Sequence, residues 1–553
     1  MPIRLSRLMA AALVILALIP LSSLAAAQAA ERADDATLVV LDTGKITGSV
    51  STDQPPVRVY RGIPYAAPPT GERRWKPPAP AEPWTDVRAA TAFGPACPQP
   101  APVLGTNPRA QSEDCLYLNL WTAAERAEER RPVMVWIHGG GFTTGAGSQP
   151  YYDGSTLARQ GAVVVTINYR LGPFGFLAHP ALSAESPRQV SGNYGLLDQI
   201  AALEWVRRNI AVFGGDPARV TIFGESAGAV SVGWLLVSPL ARGLFHRAIL
   251  QSGTAGGRLR HVSRTWQGRE PMEAVGSRLA GELGVEPGTD LAAAAARLRA
   301  LDAETILAAA RPAQGLFGRG VKFGPVLDGW VAPDDPWALL GRGEFGRVPI
   351  LVGANADEGT VFLRQLDVKR KLGYRLLLQS FAGEHADELY ACFPAATNRD
   401  VPAALNRLVT ITAFVAPARA LAREVARHGG KAWLYHFTRA AATGRFASTG
   451  AFHGAEIPYV FGRLAASPDA PRRQFRYEEI DRRLAAAMSA AWVRFATAGD
   501  PGGEGLPEWP AYDPAEDRLL VFGNEIAAAA GLEREACDLA DRLRDRLGGA
   551  GDH

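Results

Sequence analysis

This sequence has a small net charge and contains few cysteine and few lysine residues. The 553 residues carry a formal net charge of +3, and only 4 of them are cysteine. The positive charge is mostly arginine and forms no basic stripe, which argues against nucleic acid as a partner. The sequence contains no CxxC motif and no cluster of cysteine with histidine, so no zinc site is predicted. We expect no metal and no cofactor.

Long hydrophobic runs are missing too, except at the N-terminus. Arg4 and Arg7 precede an almost wholly apolar stretch at 8–24, and an A-x-A cleavage motif follows at 27–29. This pattern is typical of a secretory signal peptide, which we place at 1–29. An uncleaved membrane anchor is the alternative. Because no later run is apolar enough to span a bilayer, we expect an exported protein, periplasmic or secreted, with no stable membrane span after cleavage.

The chain as a whole has the composition of a globular protein, with 47% hydrophobic and 21% charged residues. It contains no long polar linker and no repeat, so residues 30–553 are predicted to form a single domain. Export permits disulfides, and Cys97 and Cys115 bracket a short loop, which makes them the natural pair. Cys392 and Cys537 either pair or stay free, and the oligomeric state is equally open.

Apolar, β-branched runs alternate with helical stretches along the chain. Strands are predicted at 132–137, 162–168, 220–223, 248–250, 348–352 and 431–437, and a helix at 196–210. Such alternation predicts a parallel or mostly parallel sheet that is covered on both faces. A ligand site is then expected beyond the carboxyl ends of the strands. A helical insertion predicted at 254–337 either forms a wall of the substrate cleft or is peripheral.

The segment G-E-S-A-G at 224–228 follows one of these apolar runs and precedes a stretch suited to a buried helix. A strand, a tight turn with glycine on both sides of one serine, and a helix form the context in which this motif marks a nucleophile. The glycines allow strand and helix to approach closely. A simple turn is the structural alternative, and Ser226 is the candidate nucleophile.

A glycine-rich loop, H-G-G-G-F at 138–142, follows the strand predicted at 132–137. Consecutive glycines let backbone N–H groups point into a cavity, where fixed donors stabilise the negative charge of a tetrahedral intermediate. Together with a G-x-S-x-G motif, this loop predicts an oxyanion hole, and a flexible turn is the alternative. His138 is expected to make structural hydrogen bonds.

Two acids and one histidine are candidates for the remaining catalytic groups. Asp357 and Glu358 follow the strand predicted at 348–352, and either could orient a histidine. Asp357 could instead cap the N-terminus of a helix. Among nine histidines, His453 lies in a loop after the final predicted strand, whereas His436 lies within that strand and is expected in the core. The order serine, acid, histidine is that of the α/β-hydrolases.

Further motifs, in order along the chain, resemble those of the type B carboxylesterase family, which also contains cholinesterases and some lipases. Beyond the segments already described, they lie at 60–66, 112–119, 168–170, 192–199, 213–217, 251–253 and 453–459. The resemblance runs from about Val39 to Trp509. It implies an α/β-hydrolase fold, in which helices flank a large, mostly parallel central sheet and helical insertions surround the active-site cleft.

The resemblance also implies a role for individual residues. It assigns Ser226 as nucleophile, His453 as base and Glu358 as acid, and so selects Glu358 over Asp357. The other positions that it assigns are the oxyanion donors Gly140, Gly141 and Ala227, the supporting residues Glu225 and Ser252, and the disulfide of Cys97 with Cys115.

The implied function is that of a serine carboxylesterase, which hydrolyses small-molecule carboxylic esters through an acyl-enzyme intermediate. A lipase, or a specialised hydrolase of side-chain esters or carbamates, is one alternative, and a non-catalytic binding protein is another. Residues 98–114 contain no aromatic side chain, whereas the similar loop of cholinesterases carries a tryptophan that contacts choline. Because a quaternary ammonium ligand needs an aromatic cage, a choline ester is not the expected substrate.

Overall fold

The computed structural model describes residues 37–102, 108, 110–256, 259–440, 447–464 and 477–549. In this part of the chain the strands form one sheet of 11 strands and one of 3. The predicted signal peptide at 1–29 lies outside the described residues.

The large sheet is mostly parallel, as predicted. In chain order the strands are Val39–Val40 (β1), Lys45–Thr47 (β2), Ser49–Val50 (β3), Arg58–Pro64 (β4), Arg88–Ala89 (β5), Tyr117–Thr122 (β6), Arg131–Ile137 (β7), Val163–Ile167 (β8), Gly215–Glu225 (β9), Arg247–Gln251 (β10), Ile350–Asn355 (β11), Ala432–Phe437 (β12), Arg518–Phe522 (β13) and Ile526–Ala530 (β14). Their spatial order is β14-β13-β12-β11-β10-β9-β7-β8-β6-β4-β3, and β1, β2 and β5 form the small sheet. The seven strands from β13 to β8 in this order run parallel, whereas β3, β4, β6 and β14 pair antiparallel.

Strand β7 shows that the sheet is buried on both faces. Val133, Val135 and Ile137 belong to one hydrophobic cluster, together with residues of the helix Tyr194–Asn209. Met134 and Trp136, which point to the opposite face, belong to a second cluster with residues of the helix Glu479–Ala498. Side chains alternate between the faces of a strand, so a continuous apolar run is what a strand covered on both faces requires.

Helices cover the sheet and surround the ends of its parallel strands. The α-helices are Ser155–Arg159, Gly172–Phe176, Pro180–Glu185, Tyr194–Asn209, Ala227–Val237, Met272–Glu282, Leu291–Ala300, Ala303–Ala310, Pro336–Arg342, Gly359–Phe362, Lys371–Ala382, Ala386–Cys392, Val401–Thr410, Ala416–Arg427, Ile457–Val460, Glu479–Ala498 and Arg534–Gly549. A π-helical segment, Ile411–Val415, joins two of them into one longer helix.

The insertion at 254–337, predicted to be helical, is helical only in part, over Met272–Glu282, Leu291–Ala300 and Ala303–Ala310. The non-helical part that follows these helices reaches the glycine-rich loop. The hydroxyl of Thr143 donates a hydrogen bond to the carbonyl of Ala313 at 3.3 Å. A Cβ atom on Gly324 would lie 3.2 Å from the ring of Phe142. The insertion therefore contributes a wall beside the loop at 138–142.

One helical stretch, Val401–Arg427, is long and apolar enough to cross a membrane by length and mean hydropathy, which reaches 1.3. This stretch was not predicted from the apolar runs of the sequence. Within the fold, 61% of its most apolar window is buried, and its residues share a hydrophobic cluster with Ala536 and Leu539 of the C-terminal helix. This burial is typical of a core helix.

A disulfide joins Cys97 to Cys115, across a sequence separation of 18 residues. Glu113, beside Cys115, accepts two hydrogen bonds from the guanidinium of the buried Arg74, at 2.6 and 2.5 Å. The loop is therefore anchored covalently and by an ion pair. Cys392 and Cys537 carry free thiols, the second of them buried.

Candidate active site

Ser226 occupies a strained turn between β9 and the helix Ala227–Val237. Its backbone angles are φ 55° and ψ −124°, a conformation that a residue with a side chain rarely adopts. A Cβ atom on Gly224 would lie 2.6 Å from the backbone of Gly228, and one on Gly228 would collide with the carbonyl oxygen of Ile137. Glycine is therefore required on both sides of the serine because strand, turn and helix meet too closely for a larger residue.

The glycine-rich loop lies directly against this turn. A Cβ atom on Gly139 would be 3.1 Å from the Cβ of Ser226, and Gly140 and Gly141 have positive φ angles of 111° and 65°. Within the described residues, no acceptor is found for the N–H groups of Gly140, Gly141 or Ala227. Ala227 is also the first residue of its helix, where unpaired N–H groups and the helix dipole favour negative charge.

His138 supports the glycine-rich loop. Its Nδ1 donates a hydrogen bond to the carbonyl of Gly139 at 2.9 Å, and its ring stacks on that of Tyr169 at 4.5 Å. Burial lowers the pKa of His138 to about 4, so the imidazole is neutral at physiological pH. These contacts agree with the structural role expected from the sequence.

His453 lies in contact with Glu358. The distance from Nδ1 to Oε2 is 2.5 Å, and Glu358 is fully buried. The rings of Phe362 and Phe414 flank the imidazole, with centroids 4.9 and 5.0 Å away. A carboxylate on Nδ1 leaves the proton-accepting position at Nε2, which is the tautomer that a general base needs.

A second carboxylate, that of Glu225, faces the other side of this imidazole. Its Oε1 lies 3.2 Å from Nε2 of His453, and neither atom has a hydrogen-bond partner among the described residues. Because Glu225 immediately precedes Ser226, this contact places the imidazole beside the strained turn. A Cβ atom on Gly454 would lie 3.5 Å from the same carboxylate oxygen, an ordinary van der Waals contact.

The charges of these groups are strongly coupled. Burial is the largest cause that raises the pKa of Glu225 to about 8; a charged His453 opposes it, and the carboxylates of Glu456 and Glu358 add to it. Burial alone would lower the pKa of His453, but the charges of Glu225 and Glu358 outweigh burial and raise that pKa to about 9. Glu225 and His453 therefore each lose a proton only at a pH above the ordinary value of that group.

Asp357 does not cap a helix with its side chain, so that interpretation of the sequence was wrong. One carboxylate oxygen accepts from Nδ2 of Asn406 and the other from the backbone N–H of Ala451, both at 2.9 Å. The short helix Gly359–Phe362 begins after Glu358 without a side-chain cap. Asp357 instead anchors the segment that leads to His453.

Ser252 follows β10, whose last residue, Gln251, contacts the strained turn. It has a positive φ of 52°, its backbone N–H donates to the carbonyl of Gly353 at 2.9 Å, and its buried hydroxyl has no partner among the described residues. A Cβ atom on Gly253 would lie 2.6 Å from the carbonyl oxygen of Ser226. The residues on either side of Ser252, Gln251 and Gly253, thus contact the backbone of Ser226.

Three further buried polar residues, for which the sequence predicted no role, lie between these loops. Asn355, Glu456 and Gln251 are each fully buried and are joined by hydrogen bonds. Asn355 lies three residues before Glu358, and Glu456 lies three residues after His453. A polar side chain at the end of an apolar strand was the available signal. Within the described part of the chain, no group of histidine, cysteine and acidic residues could hold a metal ion.

Comparison with known proteins identifies the family. A sequence profile described as the carboxylesterase family matches residues 35–540. The chain belongs to the carboxylesterase family. Its fold is accordingly that of an α/β-hydrolase, and it is a carboxylic ester hydrolase.

Three characterised esterases are similar to this carboxylesterase over most of their length. The fumonisin B1 esterase of Sphingopyxis macrogoltabida is 42% identical over 493 residues, which cover 88% of this chain and 87% of the relative. The para-nitrobenzyl esterase of Bacillus subtilis (strain 168) is 38% identical over 517 residues, or 90% of this chain and 97% of the relative. Carboxylesterase 1C of Mus musculus is 36% identical over 518 residues, or 87% and 89%.

Proposed function

We propose that Ser226, His453 and Glu358 form the catalytic triad of this esterase, with the N–H groups of Gly140, Gly141 and Ala227 as the oxyanion hole. The observation that carries the proposal is the position of His453. Its Nδ1 is bound by a buried carboxylate, and its Nε2 faces the residue that immediately precedes the strained serine.

Acylation begins when Ser226 attacks the ester carbonyl carbon. As the bond forms, His453 accepts the proton of the hydroxyl through Nε2, and Glu358 stabilises the resulting imidazolium. The carbonyl oxygen becomes an oxyanion, which the three unpaired N–H groups bind. Catalytic hydrogen bonds are often incomplete without substrate, so the bond between Ser226 and Nε2 is expected to form in the complex.

The second half of the reaction repeats this chemistry with water. The imidazolium of His453 protonates the leaving alcohol, which departs and leaves an acyl-enzyme on Ser226. Water then attacks the acyl carbon while His453 accepts its proton, and the proton returns to the oxygen of Ser226 as the acid product leaves. The donors on Gly140, Gly141 and Ala227 stabilise the oxyanion in both steps.

A fluorophosphonate probe tests this assignment. Covalent labelling of the wild-type protein, mapped by mass spectrometry to Ser226 and lost in the Ser226→Ala variant, is the expected result. A protein that binds esters without catalysis stays unlabelled, and a label on another serine would contradict the assignment.

For the substrate, we propose an ester on the side chain of a larger molecule. The similarity to an esterase of fumonisin B1 supports this choice over a broad carboxylesterase, and the similarity to a para-nitrobenzyl esterase supports the broader alternative. Measured kcat/KM values for fumonisin B1 and for p-nitrobenzyl acetate distinguish the two. A specialised enzyme favours the first ester strongly, whereas a broad enzyme hydrolyses the simple ester at least as well.

We further propose that residues 1–29 are removed on export and that 30–553 form the mature domain. The disulfide between Cys97 and Cys115 supports an oxidising compartment. The intact mass of protein recovered from the periplasm or medium should correspond to a chain that begins at Ala30. Recovery of the uncleaved chain from the membrane fraction would instead support the anchor.

A further inference from the structure

The side chain of Asn355 joins the loop that carries Glu358 to the loop that carries His453. Its Nδ2 group donates one hydrogen bond to the carbonyl of Phe452 at 2.9 Å and another to Oε2 of Glu456 at 2.5 Å. Its backbone N–H donates to Oε1 of Glu358 at 2.7 Å. Asn355 therefore contacts the carboxylate of the proposed triad, the residue before His453 and a residue three positions after it.

Glu456 extends this connection to the loop that carries Ser226. Its Oε1 accepts a hydrogen bond from Nε2 of Gln251 at 3.0 Å. The backbone carbonyl of Gln251 in turn accepts from the N–H of Ser226 at 2.9 Å, and its side-chain oxygen accepts from the indole of Trp492 at 3.1 Å. This series of hydrogen bonds thus connects the three loops that carry the proposed triad.

The amide orientation of Asn355 shows which of its atoms matter. Both hydrogens of Nδ2 are used, whereas the buried Oδ1 has no hydrogen-bond partner among the described residues. A buried polar atom without a partner lowers stability. Turning the amide over would place its oxygen against two other oxygens. Asparagine at this position therefore contributes as a donor of two hydrogen bonds. Its side-chain oxygen makes no hydrogen bond that would stabilise the structure.

We propose that Asn355 is a positioning residue, which fixes the His453 loop relative to Glu358 and, through Glu456 and Gln251, relative to Ser226. The inference rests on the triad proposed above. Asn355 contacts the carboxylate of Glu358, and Gln251 contacts the backbone N–H of Ser226. None of the hydrogen bonds of Asn355, Glu456 and Gln251 among the described residues involves Nε2 of His453 or the hydroxyl of Ser226. Their effect is on the distance between nucleophile and base, so it belongs to kcat rather than to substrate affinity.

Two substitutions of Asn355 test this role in the full-length protein. Asn355→Leu keeps the approximate volume and removes both donors. We expect kcat to fall by about 10²-fold, the effect of a displacement of catalytic groups by roughly 1 Å, while KM changes little. Asn355→Asp is nearly isosteric and places a second carboxylate against that of Glu456, so it should lower kcat at least as much.

Exchange of donor and acceptor provides the rescue. In the double variant Asn355→Asp with Glu456→Gln, the new amide at 456 can donate to the new carboxylate at 355, and the total charge of the pair is preserved. This variant should recover a large part of the kcat lost in Asn355→Asp. Recovery stays incomplete because the carbonyl of Phe452 still lacks its donor.

Asn193→Leu is the matched control. Asn193 is also buried, and its Nδ2 also donates to a carbonyl and a carboxylate, those of Val326 and Asp328, both at 2.8 Å. Its partners lie in the insertion, and none of them belongs to the proposed triad or to the hydrogen bonds of Asn355. Its Oδ1 also accepts from the backbone N–H of Val326 at 3.0 Å, so the substitution removes one more hydrogen bond than Asn355→Leu does. We expect this variant to lower the thermal unfolding temperature without lowering kcat specifically.

The inference is overturned if Asn355→Leu keeps the wild-type kcat, or if the exchange variant recovers nothing over Asn355→Asp. It is also overturned if Asn355→Leu and Asn193→Leu show the same loss of kcat for the same loss of unfolding temperature. If Asn355→Leu does not fold, the pair of Asn355→Asp and its exchange variant decides. An active Ser226→Ala enzyme would be a different outcome, since it removes the triad proposal itself.

Discussion

The imidazole of His453 is held between two buried carboxylates that make different contacts with it. Glu358 binds Nδ1 at 2.5 Å, whereas Glu225 faces Nε2 at 3.2 Å from the side of the serine. Glu358 is suited to fix the tautomer. An ionised Glu225 favours the protonated form of His453. In that form Nε2 cannot accept the proton of the Ser226 hydroxyl. The protonation state of Glu225 thus controls how much of the enzyme has a free base.

Glu225→Gln should allow activity to reach its plateau at a lower pH. A glutamine cannot ionise, so it no longer raises the pKa of His453, and a lower pKa means that the neutral imidazole forms at lower pH. The measurement is kcat/KM as a function of pH, with Glu508→Gln, an exposed carboxylate elsewhere, as the control. An acidic limb that stays in place or moves to higher pH would show that Glu225 does not act on His453 through its charge.

Close contact between elements explains why the strained turn needs glycine. Strand β9 and the helix Ala227–Val237 meet so tightly that Gly228 lies against the carbonyl of Ile137 in β7. The same approach brings the glycine-rich loop, which follows β7, to the side of Ser226. A change in the spacing of these two strands and one helix therefore affects the nucleophile and the oxyanion donors together.

Gly228→Ala should destabilise the protein and abolish most activity. The added methyl group collides with a backbone oxygen, and overpacking of this kind costs roughly 1–3 kcal/mol. Gly281→Ala is the control, since a Cβ there meets nothing within 4 Å and it lies in the helix Met272–Glu282, so it should stabilise by about 0.5–1 kcal/mol. Urea unfolding measures both, and equal effects of the two changes would contradict the packing explanation.

The disulfide acts between elements as well, because it closes the loop before β6. Replacement of Cys97 and Cys115 by serine should lower the free energy of unfolding by about 3 kcal/mol, the entropy cost expected for a loop of this length. Cys392→Ser, which changes a free thiol, is the control and should have little effect. Denaturant unfolding under oxidising conditions provides the measurement. An unchanged midpoint in the double serine variant would mean that the loop is held by other contacts, such as Arg74 with Glu113.

Over the whole molecule, the parallel sheet brings distant parts of the chain to one edge. Segments near residues 138, 226, 252, 358 and 453 each follow or end a strand, and adjacent strands place them side by side. This is why the sequence could indicate the candidate residues before the structure was known. The first four lie at or shortly after the end of an apolar run, and the parallel arrangement predicts that such ends meet. His453 lies farther along the chain, beyond the end of β12.

Other parts of the fold could not be predicted from the same patterns. Strand β14 has the sequence I-A-A-A-A and is mostly exposed, and alanine favours helix. Only its antiparallel pairing with β13 makes it a strand. Asn355, Glu456 and Gln251 were missed for a related reason, since their importance lies in hydrogen bonds between residues up to 205 positions apart. Asp357 was misjudged because its partner, Ala451, is also distant in sequence.

The rate of ester hydrolysis by Ser226→Ala tests the proposed mechanism most directly. Ser238→Ala, which removes a buried serine hydroxyl at the other end of the same helix, is the matched control. We predict that kcat for a p-nitrophenyl ester falls on the order of 10⁶-fold in Ser226→Ala, as expected when a hydrolase loses its nucleophile, and stays near the wild-type value in Ser238→Ala. A folded Ser226→Ala protein that retains most of the activity would contradict the mechanism.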